Sequence, residues 1–163
     1  MSDIAAHTII VIPCAAAKSA TPAPARSLYT SFNFAHTLGA AELEAIDTER
    51  VCGTSTTVMI LSAEHGLVEL DQVLAPYDTK MGQAGCVTPA TIAAQLAELA
   101  PKTIVSWLPS SYRAQIEAAV AELNDDDDNE WTEFIDSYEA APGIGWQRGV
   151  AGSLKRTHGV IAA

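Results

Sequence analysis

The chain has 163 residues, a hydrophobic fraction of 48% and a formal net charge of −11 at neutral pH. This length suffices for one well-buried domain, and the apolar fraction excludes an intrinsically disordered chain. No apolar run approaches the ~20 residues that a membrane-spanning helix needs, so we expect a soluble protein with no membrane partner.

The three cysteines, Cys14, Cys52 and Cys86, are odd in number and lack a C-x-x-C spacing. This pattern indicates neither a disulfide framework nor a zinc site. We therefore predict a cytoplasmic location, and we predict no metal and no cofactor.

The first predicted element is a buried strand over Thr8–Ile12, which ends at Pro13. Continuous apolar runs rich in β-branched residues are typical of strands that are covered on both faces. Ser27 is the predicted N-cap of a helix over Leu28–Ile46, in which apolar residues recur at helical spacing. A second buried strand follows at Val58–Leu61.

The middle of the chain is predicted to be helical. Leu67–Val73 is expected to form a short helical turn. A longer helix is then predicted between Thr88, its N-cap, and Pro101, which ends it. Its inward face carries Ile92 and Leu96, together with Leu99.

A third strand is predicted at Thr103–Trp107, followed by a helix that Ser111 caps and that runs to Leu123. The resulting order of alternating strands and helices favours a parallel sheet. We therefore predict a single three-layer α/β domain over residues 1–163, with a mainly parallel sheet flanked by helices.

The negative charge is concentrated in residues 124–139, which contain eight acidic residues and no basic one. The rest of the chain carries 12 acidic against 9 basic residues, so it is close to neutral and compatible with binding one nucleotide or flipped base. Residues 124–139 are predicted to be a solvated insertion, or a surface helix over Asn129–Tyr138 that docks through Trp131, Phe134 and Tyr138. Alternatively, the acidic residues bind a basic protein partner, as a DNA mimic does, or a divalent cation.

Polar side chains follow the first two predicted strands. Because the carboxyl ends of neighbouring parallel strands lie about 4.8 Å apart, the two loops are expected to open into one crevice, with a Tyr-Asp pair at its rim. The candidate catalytic residues are Lys18, His65 and Asp78, and the candidate substrate-binding residues are Cys14, Ser19, Ser62, Glu64, Gly66 and Tyr77.

These residue types suit acid–base or covalent chemistry. Lys18 could bind an anion or, once deprotonated, act as an amine nucleophile, and Glu64 with His65 could share a proton or bind the polar edge of a ring. Each residue also has a structural alternative. Cys14 could be a small core residue, Lys18 a surface lysine, and His65 or Asp78 part of a turn.

Four sequence motifs carry a family resemblance between Thr8 and Asp78. They are V-I-P-C-A-A-A-K-S, A-R-S-L-Y-T-S-F-N-F, I-L-S-A-E-H-G-L-V and A-P-Y-D. This order resembles a family of uncharacterised phage and actinobacterial proteins. That family is distantly similar to the YaaA-type peroxide-stress proteins and to the core domain of archaeosine synthase, whose Pro-Cys-Ser-x-x-Lys loop has a serine where this chain has Ala15.

The resemblance implies a nucleobase site lined by Cys14, Lys18, Ser62, His65 and Asp78. We accordingly expect a protein of phage or bacterial nucleic-acid modification or damage response that handles a nucleobase, a nucleotide or an exposed base of DNA or RNA. As an enzyme it would be of the transferase or glycosidase type. The alternative is a non-catalytic interaction protein that engages a basic partner through its acidic segment.

Overall fold

Three apolar runs of the chain form the centre of one sheet in this computed structural model, which describes residues 7–139. The strands are β1 (His7–Pro13), β2 (Ala23–Pro24), β3 (Ser55–Ser62), β4 (Gly66–Glu69), β5 (Val73–Leu74), β6 (Thr103–Ser106) and β7 (Glu133–Asp136). The helices are α1 (Ala25–Leu28), α2 (Phe32–Cys52), α3 (Pro89–Leu99) and α4 (Ser110–Asn124). The three predicted buried strands are confirmed as β1, β3 and β6, with ends that differ by up to three residues.

The large sheet has the strand order β4-β3-β1-β6-β7, in which only β4 is antiparallel to its neighbour. Because β1 is central, it pairs on both sides, with Ile12 opposite Ile60 of β3 and Ile10 opposite Val105 of β6. β2 and β5 form a separate two-stranded antiparallel ribbon. The predicted mainly parallel sheet is therefore confirmed.

The sheet separates two apolar cores. Ile10 and Ile12 of β1 pack with α2 on one face, while Ile9 and Val11 pack with α3 and α4 on the other. This alternation follows from the period of two in a strand, and it confirms the predicted three-layer arrangement. Within residues 7–139, no helix is long and apolar enough to cross a bilayer.

The single helix predicted over Leu28–Ile46 is wrong at its start. The chain leaves α1 at Tyr29, which is extended, and re-enters helix at Phe32 with Ser31 as the N-cap. Tertiary hydrogen bonds explain the break, because the loop after β1 pairs with this segment through Thr30 N to Ala17 O at 3.0 Å. The helix then continues past Gly39 to Cys52.

The helical turn predicted at Leu67–Val73 is also wrong, because this segment begins as strand β4. The chain reverses tightly after Ser62 and pairs antiparallel with β3, so that Leu67 lies opposite Leu61. Pairing with the edge of an existing sheet satisfies the backbone groups of these residues, which one isolated helical turn cannot do.

The structure differs from the predicted surface helix in the acidic segment. Instead of a helix over Asn129–Tyr138, residues 133–136 form β7, parallel to β6. The amide of Asn124 pairs with both backbone groups of Thr132 at 2.9 Å, which aligns the chain as an additional strand. Tyr138 docks on the core as predicted, whereas Trp131 remains 72% exposed.

The two later helices confirm the predicted positions with one difference in capping. Thr88 caps α3, since its hydroxyl accepts a hydrogen bond from Thr91 N at 3.3 Å. Ser111, the predicted cap of α4, lies inside that helix, whose N-cap is Pro109 without any side-chain hydrogen bond. The helix nevertheless buries Ile116 and Leu123, as its apolar spacing predicts.

The turn between β3 and β4 depends on Gly66 and on Gln95 of α3. Gly66 has a φ of +74°, a conformation that other residues rarely adopt. The Gln95 side chain binds this turn by accepting from Leu67 N at 2.9 Å and donating to the carbonyls of His65 at 3.1 Å and Leu67 at 3.3 Å. A Cβ at position 66 would lie 2.3 Å from Gln95 Oε1.

We predict that Gly66→Ala destabilises the protein more than Gly82→Ala does. Both glycines have positive φ, so each substitution costs about 1–2 kcal/mol of backbone strain. Only Gly66→Ala also displaces Gln95, which adds about 1 kcal/mol for each hydrogen bond lost, because nothing lies within 4 Å of a Cβ at Gly82. Urea unfolding measures both, and equal losses would contradict this role for Gln95.

Candidate active site at the carboxyl edge of the sheet

The loops after β1 and β3 meet, as the sequence predicts for neighbouring parallel strands. Cys14 N donates to Leu61 O at 3.2 Å, which continues the pairing of β1 and β3 to the ends of both strands. The connection after β1 runs over one face of the sheet and the connection after β6 over the other, because α2 and α4 pack on opposite faces. Open α/β sheets bind ligands where the connections diverge in this way, and we call the group of side chains at this edge the crevice. The chain after β6 reaches the same edge, because the Tyr112 hydroxyl is 3.2 Å from Cys14 Sγ.

A chain of hydroxyl groups forms the floor of the crevice. Ser62, which is fully buried at the end of β3, donates to Tyr77 Oη at 2.7 Å. Tyr77 Oη in turn lies 2.6 Å from Tyr29 Oη. Ser62 Oγ also accepts from the backbone N–H groups of Glu64 and His65, at 3.2 and 3.1 Å. One hydroxyl therefore connects the turn that carries His65 to both tyrosines.

Lys18 lies above these tyrosines. Its ammonium is 4.3 Å from the ring centroid of Tyr77 and 5.8 Å from that of Tyr29, within the range of cation–π attraction. The group donates one hydrogen bond, to Ala16 O at 3.2 Å. Among residues 7–139 no carboxylate forms an ion pair with it, so the charge of this half-buried lysine is not neutralised by the protein.

Cys14 lies between the loops after β1 and β6. Its thiol is half-buried and 3.2 Å from the hydroxyl of Tyr112, which projects from the first turn of α4. Cys14 is thus neither fully buried in the core nor part of a disulfide. A thiol in this position can contact a bound ligand directly.

Glu64 and His65 occupy the exposed rim. His65 Nε2 is 3.3 Å from Glu64 Oε2, and Glu64 Oε1 accepts from Thr79 Oγ1 at 3.2 Å. The His65 ring meets Tyr77 edge to face, with the centroids 5.4 Å apart. The rim therefore contains a carboxylate–imidazole pair that can exchange a proton with a ligand.

Two predicted site residues do not join the others. Ser19 turns into its own loop, where its hydroxyl donates to Thr21 O. Asp78 is exposed between Tyr77 and Thr79, and its carboxylate has no hydrogen-bond or ion-pair partner among residues 7–139. Gly66 contributes backbone conformation alone, because it has no side chain.

Three residues of the site escape prediction from the sequence. Tyr29 was placed inside a helix, and only the break between α1 and α2 brings its ring to Tyr77. Tyr112 follows the Pro-Ser-Ser loop after the third predicted strand. That loop lies at the carboxyl edge of the sheet, and this position is the feature of the sequence that could have predicted Tyr112 as a site residue. Gln95 gives no signal, since it is an ordinary polar residue on a helix.

Burial raises the pKa of every tyrosine in the chain. Desolvation is the main cause that raises the pKa of Tyr29 to about 12, and the electrostatic effect of Cys14 also contributes. The same two causes, in the same order, raise the pKa values of Tyr77 and Tyr112. Burial likewise raises the pKa of Tyr138 to about 12, with help from Asp136. The phenols of the crevice are therefore hydrogen-bond donors at neutral pH.

The described part of the chain contains no group of three or more histidine, cysteine, aspartate or glutamate residues that is arranged to hold a metal ion. The chemical groups that the crevice offers are an ammonium, a thiol, three phenols and a carboxylate–imidazole pair. This set can bind a polar ligand and move a proton.

We predict that an alkaline titration shows no tyrosine ionising near its ordinary pKa of about 10 while the protein is folded. Because the folded-state pKa values lie above the unfolded ones, the tyrosines contribute stability that is fully present below about pH 10 and is lost as the pH rises towards 12. Phenolate absorbance measures this, and denaturant should restore ordinary titration. A phenolate step near pH 10 in the folded protein would contradict the burial of these groups.

Comparisons with known proteins give a family but no function. Residues 9–128 match the "Family of unknown function (DUF6884)", and no curated protein matches. The chain is also similar to the "Crystal structure of AF0587, a protein of unknown function", with 12% identity and a TM-score of 0.42 over 91% of this chain and 44% of that one. That similarity is too low to carry an argument, and nothing here supports the resemblance to YaaA-type proteins or archaeosine synthase. Since the family match covers most of the sequence, the protein belongs to the DUF6884 family.

Proposed function

We propose that the crevice at the carboxyl edge of the sheet binds a nucleobase, a nucleotide or an exposed base of a nucleic acid. The observation that supports this most directly is the arrangement of Lys18, Tyr77 and His65. A cation and an imidazole both lie against one buried aromatic ring, at 4.3 and 5.4 Å from its centroid. A planar, polar ligand with oxygen or ring-nitrogen acceptors is complementary to such a site.

The local charge is consistent with this ligand. The chain as a whole has a formal net charge of −11, but most of the excess of acidic residues lies in residues 124–139. At the crevice, the ammonium of Lys18 has no carboxylate partner among the described residues, so it is available to an anionic or electron-rich group. Glu64 is paired with His65 and Thr79 at the rim instead.

The proposed chemistry is proton transfer to or from the bound base, or cleavage of its glycosidic bond. Lys18 is the candidate nucleophile: as a neutral amine it would attack the anomeric carbon of the nucleotide as the bond to the base breaks, and the departing base would take a proton from His65. His65, oriented by Glu64, is the candidate general acid–base. Such an enzyme would be a nucleobase-modifying transferase or glycosidase in phage or bacterial nucleic-acid modification or damage response.

Lys18→Ala and His65→Ala are each expected to weaken nucleotide binding at least tenfold, a loss of about 1.4 kcal/mol. The reason is that each variant removes one of the two polar groups beside Tyr77. Isothermal titration calorimetry with a panel of nucleoside monophosphates measures the dissociation constants. Lys80→Ala is the matched control, since Lys80 is an exposed lysine without an ion-pair partner among residues 7–139.

Thermal melting of each variant verifies that it is folded. If folded Lys18→Ala and His65→Ala proteins bind every nucleotide as tightly as the unsubstituted chain does, the crevice is not the nucleotide site. The same conclusion follows if Lys80→Ala weakens binding equally.

A second candidate function is binding of a basic partner through the acidic segment. The observation that favours it is the exposure of residues 125–128 beside Trp131, a large aromatic side chain that is 72% exposed. Other acids nearby are already neutralised, because Glu130 pairs with Lys102 and Asp136 with Arg113. The free charge is therefore concentrated next to an aromatic surface that suits lysine and arginine side chains.

We predict that Asp127→Asn/Asp128→Asn weakens the binding of a decalysine peptide about threefold or more at low ionic strength. Neither side chain holds the turn, which depends on Asp126 Oδ1 and Asp128 N. Glu98→Gln/Glu122→Gln is the control, since it removes the same charge from exposed helix positions. Fluorescence anisotropy measures both, and equal losses would mean that net charge, and not this surface, attracts the peptide.

A further inference from the structure

The hydroxyl groups of the crevice floor have more protons than hydrogen-bond contacts among residues 7–139. Ser62, Tyr29 and Tyr77 carry three hydroxyl protons but share only two oxygen–oxygen contacts, at 2.7 and 2.6 Å. Both lone pairs of Ser62 already accept backbone N–H groups, so its proton goes to Tyr77. One phenol proton, on Tyr29 or on Tyr77, is therefore left without an acceptor among the described residues.

The Cys14–Tyr112 pair and the Lys18 ammonium also have more donor protons than hydrogen-bond partners among residues 7–139. Cys14 and Tyr112 carry two protons and share one contact, at 3.2 Å, so one of them keeps a free donor. Lys18 has three N–H bonds and uses one, to Ala16 O. The free N–H groups of Lys18 lie next to the tyrosines, because its ammonium is 4.3 Å from the ring centroid of Tyr77. Cys14 lies in the same loop after β1 as Lys18.

We propose that the ligand of this crevice presents an oxygen acceptor to Lys18 and to the Tyr29–Tyr77 pair, either a phosphate oxygen or a keto oxygen of a base. Leaving a buried N–H or O–H donor without an acceptor costs more free energy than leaving the second lone pair of an oxygen unused. We therefore expect the ligand to be one that accepts from these unpaired donors. An amino group at this point would face donors and a cation, and it is excluded. This inference rests on the proposed nucleotide-binding function and specifies the chemistry of its ligand.

The raised pKa values of the phenols are consistent with this assignment, because they keep the hydroxyl protons in place throughout the neutral range. The acceptors at the site lie at the rim, where Glu64 is bound to His65 and Thr79. Donors are thus concentrated on the floor and acceptors at the edge. A ligand is oriented with its oxygen inward.

The test uses matched ligands that differ in one group. Uridine has a keto oxygen at C4 and a proton on N3, where cytidine has an amino group and an acceptor nitrogen. Both share the keto oxygen at C2, and their monophosphates add a phosphate. Calorimetry with these four compounds and with inorganic phosphate identifies the acceptor. If the keto oxygen is bound, uridine binds roughly 10- to 100-fold more tightly than cytidine, as one hydrogen bond to a charged group implies. If the phosphate is bound, both monophosphates bind equally and more tightly than both nucleosides.

The double variant Tyr29→Phe/Tyr77→Phe removes both phenol donors, and it is expected to abolish most of that preference. The Ser62 proton loses its acceptor in this variant, but Ser62 is fully buried at the end of β3. The single variants each leave one phenol donor, so the double variant is required. Tyr138→Phe is the control, because it removes the hydroxyl of another buried tyrosine that has no hydrogen bond to this cluster. Circular dichroism verifies folding, and the ligand comparison on the unsubstituted chain needs no variant.

The outcomes separate this inference from the function on which it rests. A preference for cytidine, or equal binding of uridine and cytidine that shows no gain from phosphate and persists in the Tyr29→Phe/Tyr77→Phe variant, would overturn the inference and leave nucleotide binding intact. Binding of inorganic phosphate that depends on Lys18, with no binding of any nucleoside or nucleotide, would support the oxygen acceptor and overturn the nucleotide function. If none of the five compounds binds, both are overturned.

Discussion

The hydroxyl of Ser62 connects the fold of this protein to its candidate site. Ser62 ends β3, is fully buried and has all of its hydrogen-bonding capacity in use. Two of its bonds hold the turn that begins at Glu64, and the third fixes the position of Tyr77 Oη. A buried hydroxyl is stable only when it is bonded in this way, so the geometry of the turn and the geometry of the crevice depend on each other.

The same dependence extends to the other loops. The loop after β1 pairs with the chain at Tyr29, which interrupts the helix there and turns the tyrosine ring towards Tyr77. On the opposite side, Gln95 of α3 holds the backbone of the turn through His65 and Leu67. The crevice is thus supported from both faces of the sheet, and its side chains are held in position before a ligand binds. Such preorganisation reduces the entropy that a ligand must lose.

The acidic segment and the crevice are different kinds of surface on one domain. In residues 124–139 only part of the charge is paired, through Lys102 and Arg113, and the aspartates at 125–128 face solvent. At the crevice the positive charge of Lys18 is held over aromatic rings. Charges of opposite sign are thus separated, and the crevice carries a local positive charge despite the overall negative net charge of the chain.

The sequence by itself determined the central strands of the sheet and the meeting of the two loops that form the candidate site. The apolar runs that became β1, β3 and β6 are long and β-branched, so their type did not depend on context, and the polar residues that follow them meet because parallel neighbours end together. The separate motifs around Cys14, Lys18, Ser62 and His65 were therefore enough to predict one crevice.

Only the tertiary structure decided which side chains complete that crevice. The break at Tyr29, the strand at Gly66–Glu69 and the strand at Glu133–Asp136 all arise from hydrogen bonds to distant segments, which override a local preference for helix. For the same reason Ser19 and Asp78 lie apart from the cluster, while Tyr29 and Tyr112 lie within it. The spacing of residues within one segment cannot predict such pairings, because they join residues that are far apart in the chain.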